Sequence, residues 1–199
     1  MNKLTKAGIA GLFLSLTAVL ASCGSSSETS SDTVAVTADV FPVTVGDLTL
    51  DAQPTRIISL SPTATEMLYA IGAGSQVVAV DEYSNYPAEA VALGTPLSGF
   101  EPNIEAISGY TPDLVIISYD PGSLVEQLST LDIPVFVAGA AMSIENVYEQ
   151  IEQLGVLTGN SQKAIEVSKT LQTGIEEAVA SVQFSEPPLS YYYELDNTY

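Results

Sequence analysis

Histidine is absent from this 199-residue chain, and cysteine occurs once, at Cys23. No disulfide can form within the chain, and no His/Cys zinc or copper site can be assembled from it. A Ser-His-Asp triad is excluded for the same reason. Any chemistry falls to carboxylates, hydroxyls, tyrosines or backbone. Bases are nearly as scarce, with five Lys and Arg against 24 Asp and Glu, a formal charge of −19. Lys3 and Lys6 lie at the extreme N-terminus, and only Arg56, Lys163 and Lys169 follow Cys23. A nucleic-acid partner needs a basic face to displace counterions, and none exists here. Attraction to an anionic membrane through basic residues is excluded likewise. Hydrophobic residues make up 46%, ample for a core, so the acidity is not a signature of disorder. The length suits one domain and part of another.

Long apolar runs are also missing. Ala7 to Leu20 is uncharged and rich in Leu, Ala and Ile, but a spanning helix needs about 20 apolar residues. Behind Lys3 and Lys6 this run reads as a cleaved secretory signal over 1–22. Leu20-Ala21-Ser22-Cys23 resembles a bacterial lipobox, in which Cys23 becomes the lipidated first residue of the mature protein. An ordinary signal peptide with an incidental cysteine is the alternative. Residues 23–40 are Ser/Thr/Asp-rich without apolar periodicity and read as a flexible tether.

Val43-Thr44-Val45 and Leu48-Thr49-Leu50 alternate around Gly46-Asp47, which predicts a β-hairpin within 41–55. Four short apolar runs follow: Arg56–Ser61, Val77–Val80, Leu114–Ser118 and Pro134–Ala138. Their continuous apolar character predicts strands buried on both faces. Helices are signalled between them. Thr63-Ala64-Thr65-Glu66 and Ser123-Leu124-Val125-Glu126 both read as capping boxes. The first opens a helix with Ala64, Met67, Leu68 and Ile71 inward, stopped by Gly72 and Gly74; the second places Leu124, Leu128 and Leu131 inward. Pro102 and Asn103 start a shorter helix bearing Ile104 and Ile107. Ser143 starts another, with Ile144, Val147, Tyr148, Ile151 and Leu154 in register. The expected fold is α/β, a mostly parallel sheet flanked by helices over 56–160. A helix capped by Asn160-Ser161 then runs to about Val182, roughly 30 Å, long for a crossover and suited to joining two lobes (161–184). Leu189–Leu195 looks like a strand opening a second lobe (185–199). A single strand makes no domain, so a truncated second lobe is expected.

Ligands of open parallel sheets bind at the carboxyl ends of the strands. Those ends carry Ser61-Pro62-Thr63, Asp81-Glu82-Tyr83-Ser84, Tyr119-Asp120-Pro121 and Gly139-Ala140, and the loop Leu97-Ser98-Gly99-Phe100 joins them. Aromatics, hydroxyls and backbone suit a large, flat or greasy ligand. Packing alone is the alternative for Tyr83, Phe100 and Tyr119. Gly72-Ala73-Gly74 is no dinucleotide loop, because it follows a helix instead of a strand. There is no P-loop. Asp81, Glu82 and Asp120 raise the possibility of acid/base hydrolysis, but nothing in their spacing enforces a pair.

The stretches Arg56–Glu66 (RIISLSPTATE), Val80–Pro87 (VDEYSNYP), Pro102–Ile107 (PNIEAI), Thr111–Ile116 (TPDLVI) and Leu154–Gly159 (LGVLTG) resemble the substrate-binding proteins of ABC importers for ferric siderophores, haem and cobalamin. That resemblance implies a class III periplasmic-binding fold: two α/β lobes joined by one long helix, with ligand in the cleft. It implies that Tyr83 stacks on ligand, as in cobalamin-binding members, and that Ser61, Pro62 and Phe100 line the cleft. Ser84, Tyr119 and Asp120 are added from their loops. Glu105 takes the place of the glutamate that docks on permease arginines; a first-turn acid stabilising its helix is the plainer reading. Leu97 or Ser98 stands where some cobalamin binders place a tryptophan, which weakens cobalamin. Free zinc or manganese is disfavoured without histidine. Arg56, at the far end of its strand, cannot serve an anionic catecholate.

The resulting expectation is a monomeric, lipid-anchored extracytoplasmic receptor without catalysis or resident cofactor. It captures a metal chelate, such as a ferric hydroxamate, for an ABC permease. Cobalamin or haem binding by the same fold, an exported hydrolase using Asp81 and Asp120, and a ligand-free cell-surface module are the alternatives.

Overall fold

The computed structural model describes residues 39–183, 187 and 190–193. The signal segment, Cys23 and nearly all of the expected tether lie outside the described residues, as does most of Leu189–Leu195. The described part of that last segment, 190–193, is not in a strand.

The hairpin forms as expected. Strands β1 (Val43–Val45) and β2 (Leu48–Leu50) pair antiparallel, with Val43 opposite Leu50. The four apolar runs become β3 (Ile57–Leu60), β4 (Val77–Val80), β5 (Leu114–Ile117) and β6 (Val135–Val137). They make one fully parallel sheet in the order β4-β3-β5-β6. The chain thus leaves central β3 to one side and returns to its other side, which creates a switch point between β3 and β5.

Alternation along the strands feeds two cores. Ile57, Val77, Leu114, Ile116 and Phe136 face α1 (Pro62–Ala70), α5 (Ile144–Thr158) and the hairpin. Ile58, Leu60, Val115 and Ile117 face α3 (Ile104–Gly109) and α4 (Leu124–Ser129). A short helix, α2 (Ala88–Val91), and 3-10 turns at Ala73–Gln76 and Pro121–Ser123 complete the lobe. Every residue of β3 and β5 is buried. Burying each Ile or Leu contributes roughly 1.5–3 kcal/mol.

Several local expectations are corrected. The cap of α1 is Ser61, not Thr63: Ser61 is extended, its Oγ accepts from the Ala64 N–H, and Pro62 fills the first helical position. Ser123 is no cap either, because it sits in the left-handed region (φ 59°) and makes no capping bond. Asp120 does that work, its Oδ1 accepting from the Val125 N–H at 3.0 Å. Leu131, expected inward, lies just past the end of α4 and is exposed, while Leu124 and Leu128 are buried. Ile144 is exposed at the first turn of α5. The glycine stop after α1 is Gly72, in the left-handed region at φ 85°.

The long helix α6 spans Ser161–Ser181. Asn160 occupies its N-cap position but does not cap with its side chain; instead Asp39 Oδ2 accepts from the Ser161 N–H. The Asn160 amide donates to Thr158 O at 2.9 Å, and that carbonyl also accepts from Gln53 and Gln76. This polar knot ties the segment after the hairpin to the α5–α6 corner. Along α6 only Ala164 and Ser168 are buried; Leu171, Ile175 and Val179 are exposed. Among the described residues no helix is long and apolar enough to cross a membrane.

Helix α5 meets α6 through Gly155. A Cβ there would overlap the Ala164 Cβ and crowd Ser161 Cα at 3.2 Å. Gly155→Val should therefore destabilise the lobe by about 1–3 kcal/mol, as overpacking does. An unshifted midpoint in chemical denaturation would show that the two helices have room to part.

Candidate functional site

The carboxyl ends of β3, β4 and β5 deliver three loops to one rim. Leaving β4, the chain turns through Asp81–Ser84 and presents Tyr83. Leaving β5, it presents Tyr119 and Asp120. A fourth segment reaches the same rim because Leu97 forms a parallel bridge with Asp81, which brings Phe100 alongside. The three rings meet: Tyr83 and Phe100 lie 5.4 Å apart in an edge-to-face arrangement, and Phe100 and Tyr119 lie 6.3 Å apart, tilted by 47°. They remain 55%, 62% and 44% exposed, respectively. Three touching aromatics left this open to water form a ready surface for a flat apolar body. Beside them is a recess of about 240 Å³ lined chiefly by Phe100, Pro102, Ile104, Pro121 and Leu124. A larger hollow of about 760 Å³ lies between the C-terminal half of α1 and the Tyr86–Glu89 segment. It shares no residue with the aromatic cluster.

Beneath the rings is a buried polar chain. Ser84 Oγ donates to Asp81 Oδ1 at 2.5 Å. Ser84 Oγ also meets Thr65 Oγ1 at 2.9 Å, Thr65 Oγ1 donates to Ser59 Oγ at 2.8 Å, and Ser59 Oγ donates to the Ser61 carbonyl at 3.2 Å. Each hydroxyl carries one hydrogen, so an ionised Asp81 leaves three hydrogens for four links. Burial, the largest influence, pushes the Asp81 carboxyl above its ordinary value, and nearby Glu82 adds to the rise; hydrogen bonds from Ser84 oppose it.

The two loops are also laced at the surface. The Glu82 N–H donates to Leu97 O at 2.9 Å. Ser98 Oγ donates to Glu82 Oε1 at 2.9 Å and accepts from the main-chain N–H groups of Phe100 and Glu101. Gly99 is required there: a Cβ would stand 2.8 Å from Leu60 O and 3.0 Å from Asp81 Oδ2.

Of the residues singled out from the sequence, Tyr83, Phe100, Tyr119 and Asp120 share the exposed rim, with Pro62 half-buried behind Ser61. Ser61 and Ser84 are buried, and their side chains turn inward to cap α1 and to hold Asp81. Leu97 is buried as well. Glu105 is exposed in the first turn of α3, five residues after Phe100. Arg56 lies at the opposite end of the sheet, where its guanidinium donates to the carbonyls of Tyr110 and Thr111 at the end of α3. Sequence reasoning missed the polar chain and the part Ser98 plays in lacing the two loops together. Ser59 within an apolar strand, and the three-residue Asp81–Ser84 spacing of a side-chain turn, were the available signals. Among the described residues no group of three or more acidic, His or Cys side chains could hold a metal ion.

Residues 57–199 match the family model described as periplasmic binding protein. The chain belongs to this family. A substrate-binding lipoprotein of an ABC transporter from Bacillus subtilis, YvrC, is 30% identical over 181 residues, which cover 86% of this chain and 57% of that protein. A cobalamin-binding protein of Halobacterium salinarum is 33% identical over 171 residues, covering 80% of this chain and 46% of that protein. The crystal structure of a possible iron-binding, periplasmic solute-binding protein from Staphylococcus epidermidis superposes with a TM-score of 0.64 at 25% identity, covering 68% of this chain and 54% of that one. The chain spans about half the length of the curated relatives it matches. The aromatic rim thus sits on a periplasmic-binding lobe, at the sheet edge where open α/β folds take their ligands.

The Asp81 shift has a signed consequence. With its value raised on folding, the native state binds more protons than the unfolded chain between the ordinary and the raised value, so stability falls as pH rises through that window. Asp81→Asn should remove this slope. Urea unfolding across the acid-to-neutral range should show the variant gaining on the parent as pH rises; parallel curves would mean that Asp81 does not titrate differently on folding.

Proposed function

We propose that this chain provides the first lobe of an extracytoplasmic substrate-binding component of an ABC importer, anchored to the membrane through lipidated Cys23 and a tether. The family membership and the contiguous Tyr83–Phe100–Tyr119 surface carry the reading. The ligand is a metal chelate, whose flat or apolar flank rests on the three rings while Pro62 and Asp120 border it. Ser61 and Ser84 act from below by holding the loops.

Charge narrows the ligand class. The rim's charged neighbours are Glu82, Glu101 and Asp120, whereas Arg56, Lys163 and Lys169 lie at the far sheet end or on α6. A neutral or cationic complex, such as a ferric hydroxamate, suits this surface better than an anionic catecholate. Cobalamin is the second reading, favoured by Tyr83 and by the cobalamin-binding relative. A carboxylate-dependent hydrolase is disfavoured, because Asp81 is buried against Ser84 and Asp120 caps α4.

Calorimetric titration of the protein with ferrichrome, ferric enterobactin, cyanocobalamin and haemin tests the reading. A neutral chelate should bind, and Tyr83→Ala and Phe100→Ala should each weaken it by about 2- to 10-fold, the worth of one aromatic pairing. Absence of binding by every chelate would refute it.

Glu105, exposed on α3, is proposed as the acid that pairs with a permease arginine. Glu105→Gln should leave chelate affinity unchanged and cost at most about 1 kcal/mol of helix stability, yet abolish stimulation of the transporter's ATPase. Full stimulation by the variant would return Glu105 to a purely structural role.

A further inference from the structure

Tyr83 and Phe100 come from loops that leave β4 and precede α3, more than a dozen residues apart in sequence. Nothing in either ring holds it at the edge of the other, since an exposed aromatic pair is worth only about 0.5–1.5 kcal/mol. The fixing groups lie beneath. Asp81 is 4% exposed, and it touches both loops at once. Its Oδ1 receives the Ser84 hydroxyl, closing the turn on whose tip Tyr83 stands. Its Oδ2 lies 3.0 Å from where a Cβ on Gly99 would stand, beside the loop that carries Phe100. Through Ser84 and Thr65 the same carboxyl is tied to Ser59 in the central strand. We infer that Asp81 is the positioning residue of the aromatic rim: it sets Tyr83 and Phe100 edge to face by anchoring both loops to β3 without touching ligand. This deepens the proposed function and rests on the rim being the ligand surface.

The inference separates local order from general stability. Aromatic NMR of the full chain reads the Tyr83–Phe100 contact directly, through the nuclear Overhauser effect and the ring-current shift that Phe100→Leu removes. Asp81→Ala should abolish both. Asp81→Asn should restore them, because its amide oxygen can accept from Ser84 as the carboxylate does. Leu157→Ala, a core truncation on α5 remote from the rim, should lower the melting temperature and leave the contact intact. If Asp81→Ala fails to fold, Ser84→Ala breaks the same link while keeping the carboxyl, and should lose the contact. A contact that survives Asp81→Ala, or Ser84→Ala in its place, overturns the inference, as does one lost equally in Leu157→Ala.

Titration with ferrichrome and cyanocobalamin distinguishes the two levels. If the parent binds either probe, Asp81→Ala should bind it about 2- to 10-fold more weakly, matching Tyr83→Ala. Loss of the ring contact with undiminished affinity would overturn the ligand role of the rim and leave the positioning role standing.

Discussion

Strand β3 is the constraint on which the rest of this lobe depends. It lies inside the sheet with a parallel neighbour on each side, β4 and β5, and all four of its residues are buried. Ile57 enters one core, Ile58 and Leu60 the other, and Ser59 enters neither, joining the polar chain below the rim. Because side chains alternate with a period of two, a slip of one residue would place Ser59 in the apolar core and an isoleucine against Thr65. The register with β4 and β5 therefore fixes the polar chain as firmly as it fixes the cores.

From that register the site follows in steps. The end of β3 places Ser61 at the start of α1, and α1 presents Thr65 back toward Ser59. The end of β4 places Asp81 next to the same hydroxyls. The bridge from Asp81 to Leu97 draws in the Phe100 loop. The exposed rings are thus the outer layer of a structure whose inner layer is hydroxyl and carboxyl. Hydrogen bonds of this kind are directional where apolar packing is not, which suits them to fixing the angle between two rings.

Element types were largely legible in the residues. Runs such as Ile57–Leu60 and Leu114–Ile117 are too short and too evenly apolar for amphipathic helices, and the hairpin declared itself through Gly46-Asp47. Helix starts were less legible. Thr63 and Ser61 both have capping chemistry, and Ser61 prevails because the strand ends there and Pro62 is pre-set for the first helical turn. Ser123 matches a capping box in sequence, yet its backbone is left-handed, so Asp120 supplies the bond from farther back. The aromatic members of the site were recognisable from their strand-end positions. Ser61 and Ser84 came from the same loops, but their side chains point inward, and position along the chain does not encode that direction.

By itself the amino-acid sequence determined the α/β class, the hairpin, the parallel sheet and the absence of histidine or basic chemistry, since these depend on composition and short-range periodicity. Tertiary structure alone decided that Tyr83, Phe100 and Tyr119 touch, and that Asp81 is buried between two loops. It also decided that α6 leaves Leu171, Ile175 and Val179 exposed along the stripe that begins with buried Ala164. Those outcomes depend on residues far apart in sequence meeting across the sheet. No local pattern specifies such meetings, because their geometry is fixed only when the strands are paired.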